Sequence, residues 1–97
     1  MLKQAQKMQE DMQNLQAELD EQIHEVSAGG GVVNIKIKGN REISEIHLDK
    51  DIVDPDDIET LEDLITAAVN EALSTVEKHN SEQINKLTSG LGVPGMF

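Results

Sequence analysis

The spacing of apolar residues changes twice along the 97-residue chain. From Met1 to about Gln22 they recur at helical intervals: Met1, Ala5, Met8, Met12, Leu15 and Leu19, stepping alternately by four and three. Such steps gather into a narrow seam on one face of a helix. The stretch has no Gly or Pro and is rich in Gln, Glu, Lys, Met and Leu, which lose little freedom in a helix. The seam stops at Gln22, after about three heptads, which is short for an autonomous coiled coil. A helix is therefore expected over 1–22, lying on another helix.

Past the triplet Gly29-Gly30-Gly31 the period becomes two. Val33, Ile35 and Ile37 point one way, and Asn34, Lys36 and Lys38 the other. This is a strand with one buried face. Gly39-Asn40 readily takes positive φ and predicts a tight hairpin turn. The return run Ile43–Leu48 puts Ile46 and Leu48 on one face and Ile43 on the other, which suggests a bulge. Ile23–Ser27 reads either as a first strand or as a loop feeding the glycines. A small antiparallel sheet is expected within 23–49.

Helical spacing then returns. Asp54 can cap, Pro55 suits a first helical position, and Asp57 stands where a capping-box acid would. Ile58, Leu61, Leu64, Ile65, Ala68, Val69, Ala72, Leu73 and Val76 form a broad stripe, able to cover both a sheet and a helix. The helix is expected over 55–89, roughly 50 Å at 1.5 Å per residue, with Asn80-Ser81 its weakest point and Gly90 its stop. Residues 90–97 are an apolar tail that either frays or docks. The fold class is α+β, two helical arms joined through a small sheet, in a single domain over 1–97.

Composition changes the picture in one respect. Phe97 is the only aromatic residue. A chain this small without large aromatic side chains has little to bury by itself, which points to a core shared between subunits. There is no cysteine, hence no disulfide framework. No bilayer-spanning run and no signal-peptide pattern is visible, so a cytoplasmic protein without membrane contact is expected.

The net charge of −11 argues on its face against a nucleic-acid partner, but the charge is unevenly placed. Met1–Gln9 carries Lys3 and Lys7 and no acid; Val26–Arg41 carries Lys36, Lys38 and Arg41 and no acid. Asp49–Asp63 is dense in carboxylates, with Lys50 alone opposing them.

Chemical motifs are mostly absent. The glycine triplet is followed by neither a Lys-Ser/Thr pair nor a helix, and Asn34 stands where a dinucleotide-binding motif needs its last glycine. The acids from Asp49 lack the glycine and glutamate of a calcium loop. His24, His47 and His79 have no metal-ligand spacing, and no nucleophile stands beside a base. Neither catalysis, metal, cofactor nor small-molecule substrate is expected. Without aromatic stacking platforms, any nucleic-acid contact runs through phosphates.

Four stretches taken in order carry a resemblance. They are Lys3-Gln4-Ala5-Gln6-Lys7-Met8-Gln9, Ala28-Gly29-Gly30-Gly31-Val32-Val33, Leu61-Glu62-Asp63-Leu64-Ile65 with Ala67-Ala68-Val69-Asn70, and Gly90-Leu91-Gly92-Val93-Pro94-Gly95. Together they resemble the bacterial YbaB/EbfC family of nucleoid-associated proteins over nearly the whole chain. The resemblance implies an α-β-β-β-α protomer, a tweezer-shaped homodimer, and binding to double-stranded DNA at the nucleoid with effects on gene expression. It supplies no residue-by-residue contact signature, so charge selects the candidates: Lys3, Lys7, Lys36, Lys38, Arg41 and Lys86. Val33, Ile35, Ile37, Leu61, Leu64, Ile65 and Ala68 are expected at the dimer interface. The other reading is a protein-interaction scaffold resembling a prefoldin-type chaperone subunit, which would not bind DNA.

Overall fold

The protein is described by a computed structural model over residues 2–90. Its elements run α1 (Leu2–Glu21), β1 (Ile23–Ala28), β2 (Val33–Lys38), β3 (Ile43–Leu48), a single 3-10 turn (Lys50–Ile52) and α2 (Ile58–Gly90). The α-β-β-β-α order follows the periods in the sequence, and Ile23–Ser27 resolves as a strand. Of the expected tail, 90–97, Gly90 is the last residue of α2 and 91–97 lie outside the described residues.

The three strands form one antiparallel sheet in the order β1-β2-β3. Val33, Ile35 and Ile37 of the central strand are fully buried. Their partners across β1 are Ala28, Val26 and His24, which share their face. On β3 the partners are Leu48, Ile46 and Ile43. The register shifts at Lys36/Ile37, so that Ile37 pairs with Ile43 while Lys36 pairs with Glu45. Ser44 is the extra residue, and its hydroxyl donates to the Lys36 carbonyl at 3.2 Å. The bulge turns Ile43, odd by strict alternation, back onto the core face.

α2 lies across that face, chiefly over β1 and β2. Ala68, Ala72 and Val76, one helical turn apart, are fully buried against the sheet residues. Two alanines in the row let the helix axis approach the sheet closely. The core-side face of β3 is less covered, and Ile46 remains 45% exposed although it stands opposite the buried Ile35.

α2 begins three residues later than the sequence suggests. Asp54 accepts from the Asp56 N–H through its side chain and from the Asp57 N–H through its carbonyl, folding the segment into a turn. Asp57 is the cap: its carboxylate takes the Thr60 N–H at 3.3 Å and the Thr60 hydroxyl at 2.7 Å. The helix does not break at Asn80-Ser81. The Asn80 side chain donates to the Gly39 carbonyl at 3.0 Å instead of competing for its own helix backbone.

The β2–β3 turn differs from expectation in an informative way. Gly39 is not at positive φ; Arg41 is, at 73°. Gly39 serves close approach, because a Cβ there would collide with the Leu19 carbonyl at the end of α1. The turn is tied on both sides, by Gly39 N–H to the Gln22 carbonyl at 2.9 Å and by Asn80 from α2. From this junction α1 and the last turns of α2 continue as arms past the end of the sheet. The radius of gyration, 18.6 Å, compares with about 12–13 Å for a compact domain of this length.

Candidate nucleic-acid interface

The outer face of the sheet is polar and uncovered. Across its middle runs the row Glu25–Lys36–Glu45. Lys36 Nζ stands 3.7 Å from Glu25 Oε1 and 3.6 Å from Glu45 Oε2. Exposed pairs of this kind add little stability, but they decide the local field: one cation between two anions leaves the row net negative. Lys36 is thereby separated from the other candidates.

Lys3 and Lys7 are exposed on the first turns of α1, in a stretch without acids. Lys86 is exposed on the α2 arm, six residues past the junction at Asn80. Lys38 is half-buried at the end of β2, opposite Ile23, and Arg41 is exposed at the tip of the β2–β3 turn. Among the described residues none of these five has a carboxylate within ion-pair distance. Lys78, which charge placement along the sequence does not single out, is exposed on α2 beside the junction; a helical wheel anchored on Ala68, Ala72 and Val76 is the signal that finds it. The cations thus stand on the arms and at their base, while Asp49–Asp63 lies around the opposite end of α2.

The residues expected at a dimer interface divide. Val33, Ile35, Ile37 and Ala68 are fully buried within the protomer, the strand residues beneath α2 and Ala68 of α2 against the sheet. Leu61, Leu64 and Ile65 are half-buried. Leu64 packs on the glycine loop: a Cβ on Gly29, itself at φ 64°, would stand 2.8 Å from Leu64 Cδ2.

A polar cluster forms where α2 leaves the sheet, from residues far apart in sequence. The His24 and His79 rings meet edge to face at 4.8 Å, and His79 Nε2 lies 2.8 Å from Gln22 Oε1. Asn80 is only 6% exposed, and its Oδ1, like His24 Nε2, is buried without a partner. Burial beneath α2, and secondarily the neighbouring His79, hold the pKa of His24 below its ordinary 6.5. The unfolded chain therefore binds this proton more readily than the fold. The contribution of neutral His24 is complete above pH 6.5 and is lost as pH falls through that value towards the lower folded-state pKa. Thermal melting scanned downward from neutral pH is expected to show a falling Tm in this window, and His24→Leu is expected to flatten it. An unchanged pH profile in the variant would remove His24 as the source.

No group of three or more His, Cys, Asp or Glu side chains suited to a metal ion occurs among the described residues. No helix among them is long and apolar enough to cross a membrane.

The fold is a helix–sheet–helix protomer with Lys3 and Lys7 on one arm and Lys86 on the other, and the comparisons specify its class. The chain belongs to the YbaB/EbfC DNA-binding family, whose model matches residues 1–91. It is 52% identical over 97 residues to a nucleoid-associated protein of Clostridium novyi, covering 100% of this chain and 85% of that one. It is 51% identical over 98 residues to a nucleoid-associated protein of Acetivibrio thermocellus, covering 100% and 87%. The crystal structure of an uncharacterised Helicobacter pylori protein superposes with a TM-score of 0.74 at 20% identity, over 87% of this chain and 88% of that one, and so shares the fold.

Proposed function

We propose that this protein binds double-stranded DNA as a homodimer, chiefly through phosphates and with little sequence selectivity. It acts at the bacterial nucleoid in the cytoplasm, where it alters DNA conformation and thereby gene expression. Membership of a DNA-binding family carries the reading, and relatives named as nucleoid-associated proteins support it. The chemistry agrees. Lys3, Lys7, Lys38, Arg41 and Lys86 offer charge without a base-reading motif, and contacts of that kind position a protein without specifying sequence. Lys36 belongs to the same set, but two glutamates at 3.7 and 3.6 Å compete with a phosphate for its charge. A second copy would cover the open side of β3 and the half-buried Leu61 and Ile65, and two-fold symmetry would double the arms.

The net charge of −11, doubled in a dimer, makes salt dependence the decisive property. Anisotropy of a labelled random duplex from about 20 to 200 mM salt is expected to show affinity falling log-linearly. The Lys3→Ala/Lys7→Ala variant is expected to lose affinity evenly across sequences, with a slope shallower by about 0.9 for each phosphate no longer neutralised. An unchanged slope would take α1 out of the contact set. Absence of binding at the lowest salt would defeat the DNA reading and turn attention to the scaffold reading, with the exposed Leu2 and Met8 of the α1 arm as the gripping surface.

A further inference from the structure

Arg41 is the one non-glycine residue at positive φ among the described residues, and it sits in a turn that has every reason to carry glycine. The Arg41 N–H donates to the Lys38 carbonyl at 2.9 Å, and the Lys38 N–H to the Glu42 carbonyl at 2.8 Å. Asn40 Oδ1 accepts from the Glu42 N–H at 2.9 Å. This is a three-residue hairpin loop, Gly39-Asn40-Arg41, whose last position is left-handed and normally falls to glycine. A side chain there strains the backbone.

The turn cannot relax that strain by moving. Gly39 is wedged against the Leu19 carbonyl and bonded to Gln22, and Asn80 holds its carbonyl from α2. The guanidinium that the strain maintains is exposed and, among the described residues, has no carboxylate within ion-pair distance. Lys36, on the unstrained strand beside it, has two. The Arg41 backbone closes the turn, but among the described residues its side chain adds no ion pair to the fold. What it contributes is an always-charged, fork-shaped donor on a fixed platform at the base of the arms.

We infer that Arg41 is a preorganised contact to the phosphodiester backbone of duplex DNA, kept at a cost in stability. The inference rests on the DNA-binding reading above and singles out one residue within it. A phosphate contact made from a rigid platform loses less freedom on binding than one made from a mobile lysine at a helix end. The strain and the function then oppose each other at one side chain, and substitution separates them.

The experiment uses the full chain and three proteins: wild type, Arg41→Gly and Arg41→Lys. Arg41→Gly is expected to raise Tm by roughly 4–8 °C. It is also expected to weaken binding to a random duplex by about 10-fold per engaged contact, with a salt slope shallower by about 0.9. Arg41→Lys keeps the charge and the strain but loses the fork, so it is expected to leave Tm near wild type, keep the wild-type salt slope and restore only part of the affinity. A purely structural role for Arg41 would move stability and binding in the same direction. Wild type binding normally while Arg41→Gly binds with the same affinity and slope would overturn this inference alone. An Arg41→Gly protein that melts below wild type would overturn the strain argument. Wild type failing to bind at low salt would remove the DNA reading and this assignment with it.

Discussion

Gly39→Ala is expected to be more damaging than the same change at Gly29, Gly30 or Gly31. The added Cβ falls within the Leu19 carbonyl and its carbon, with the Asp20 nitrogen next at 3.3 Å. All three are backbone atoms, so no rotamer change relieves the clash. Either the end of α1 or the turn must withdraw. Withdrawal breaks the Gly39–Gln22 hydrogen bond, strains the one from Asn80, and opens the site where Leu19 is buried. Overpacking, the weakening of two hydrogen bonds and partial exposure of a leucine together cost about 4 kcal/mol or more, a large share of the roughly 5–15 kcal/mol that holds a domain folded. Melting followed by circular dichroism should show Tm lowered by about 15 °C or more, and amide exchange should accelerate first around Gln22. Gly30→Ala is the internal control. Gly30 is at φ 75° with nothing near its Cβ position, so strain alone is expected, about 1 kcal/mol. Equal melting of the two variants would refute the close approach at Gly39.

The second large effect concerns Ile35 and the residue opposite it. Ile35 is fully buried at the centre of β2, between the other strands and beneath α2. Ile35→Ala removes most of a fully buried side chain from the centre of the core. A stability decrease of about 2–5 kcal/mol is expected, and with it about 10 °C or more of Tm. Ile46 faces the same side from β3 but is 45% exposed. Ile46→Asp is expected to leave the protomer folded and act on association instead, because a charge buried by a second copy would go unpaired. Sedimentation equilibrium separates the two cases: folded monomers would support an interface over β3, and a dimer of unaltered affinity would move that interface elsewhere.

These residues also mark how far the sequence could be read. The helical seam of α1, the alternation of β2 and the stripe of α2 are local patterns, each complete within a few turns or one strand, and the elements follow them. The odd phase of Ile43 was legible as a bulge. The start of α2 was misplaced because Asp54 and Asp57 are chemically equal caps, and only the turn between them decides which one faces free N–H groups. The cations were legible as candidates, but the separation of Lys36 from them was not. It depends on Glu25 and Glu45 arriving from two neighbouring strands in one register.

The dimer candidates show the same limit. An apolar strand face signals burial without saying by what. The stripe of α2 is wide enough to serve either its own sheet or another copy, and in the fold its alanines and Val76 take the sheet. That leaves β3 and the first turns of α2 as the open apolar surface.

The sequence by itself determined the order and type of the elements, a composition with a single aromatic residue, the acid-free stretches 1–9 and 26–41, and the family. It could do so because periodicity and composition are properties of neighbouring residues. Only the tertiary structure decided why Gly39 is glycine, that the left-handed position falls on Arg41, that His24 meets His79, and which apolar residues remain open. Each of these depends on two segments far apart in the chain meeting at a particular distance. Such distances are set by how α1, the β2–β3 turn and α2 pack together, a balance that no local pattern contains.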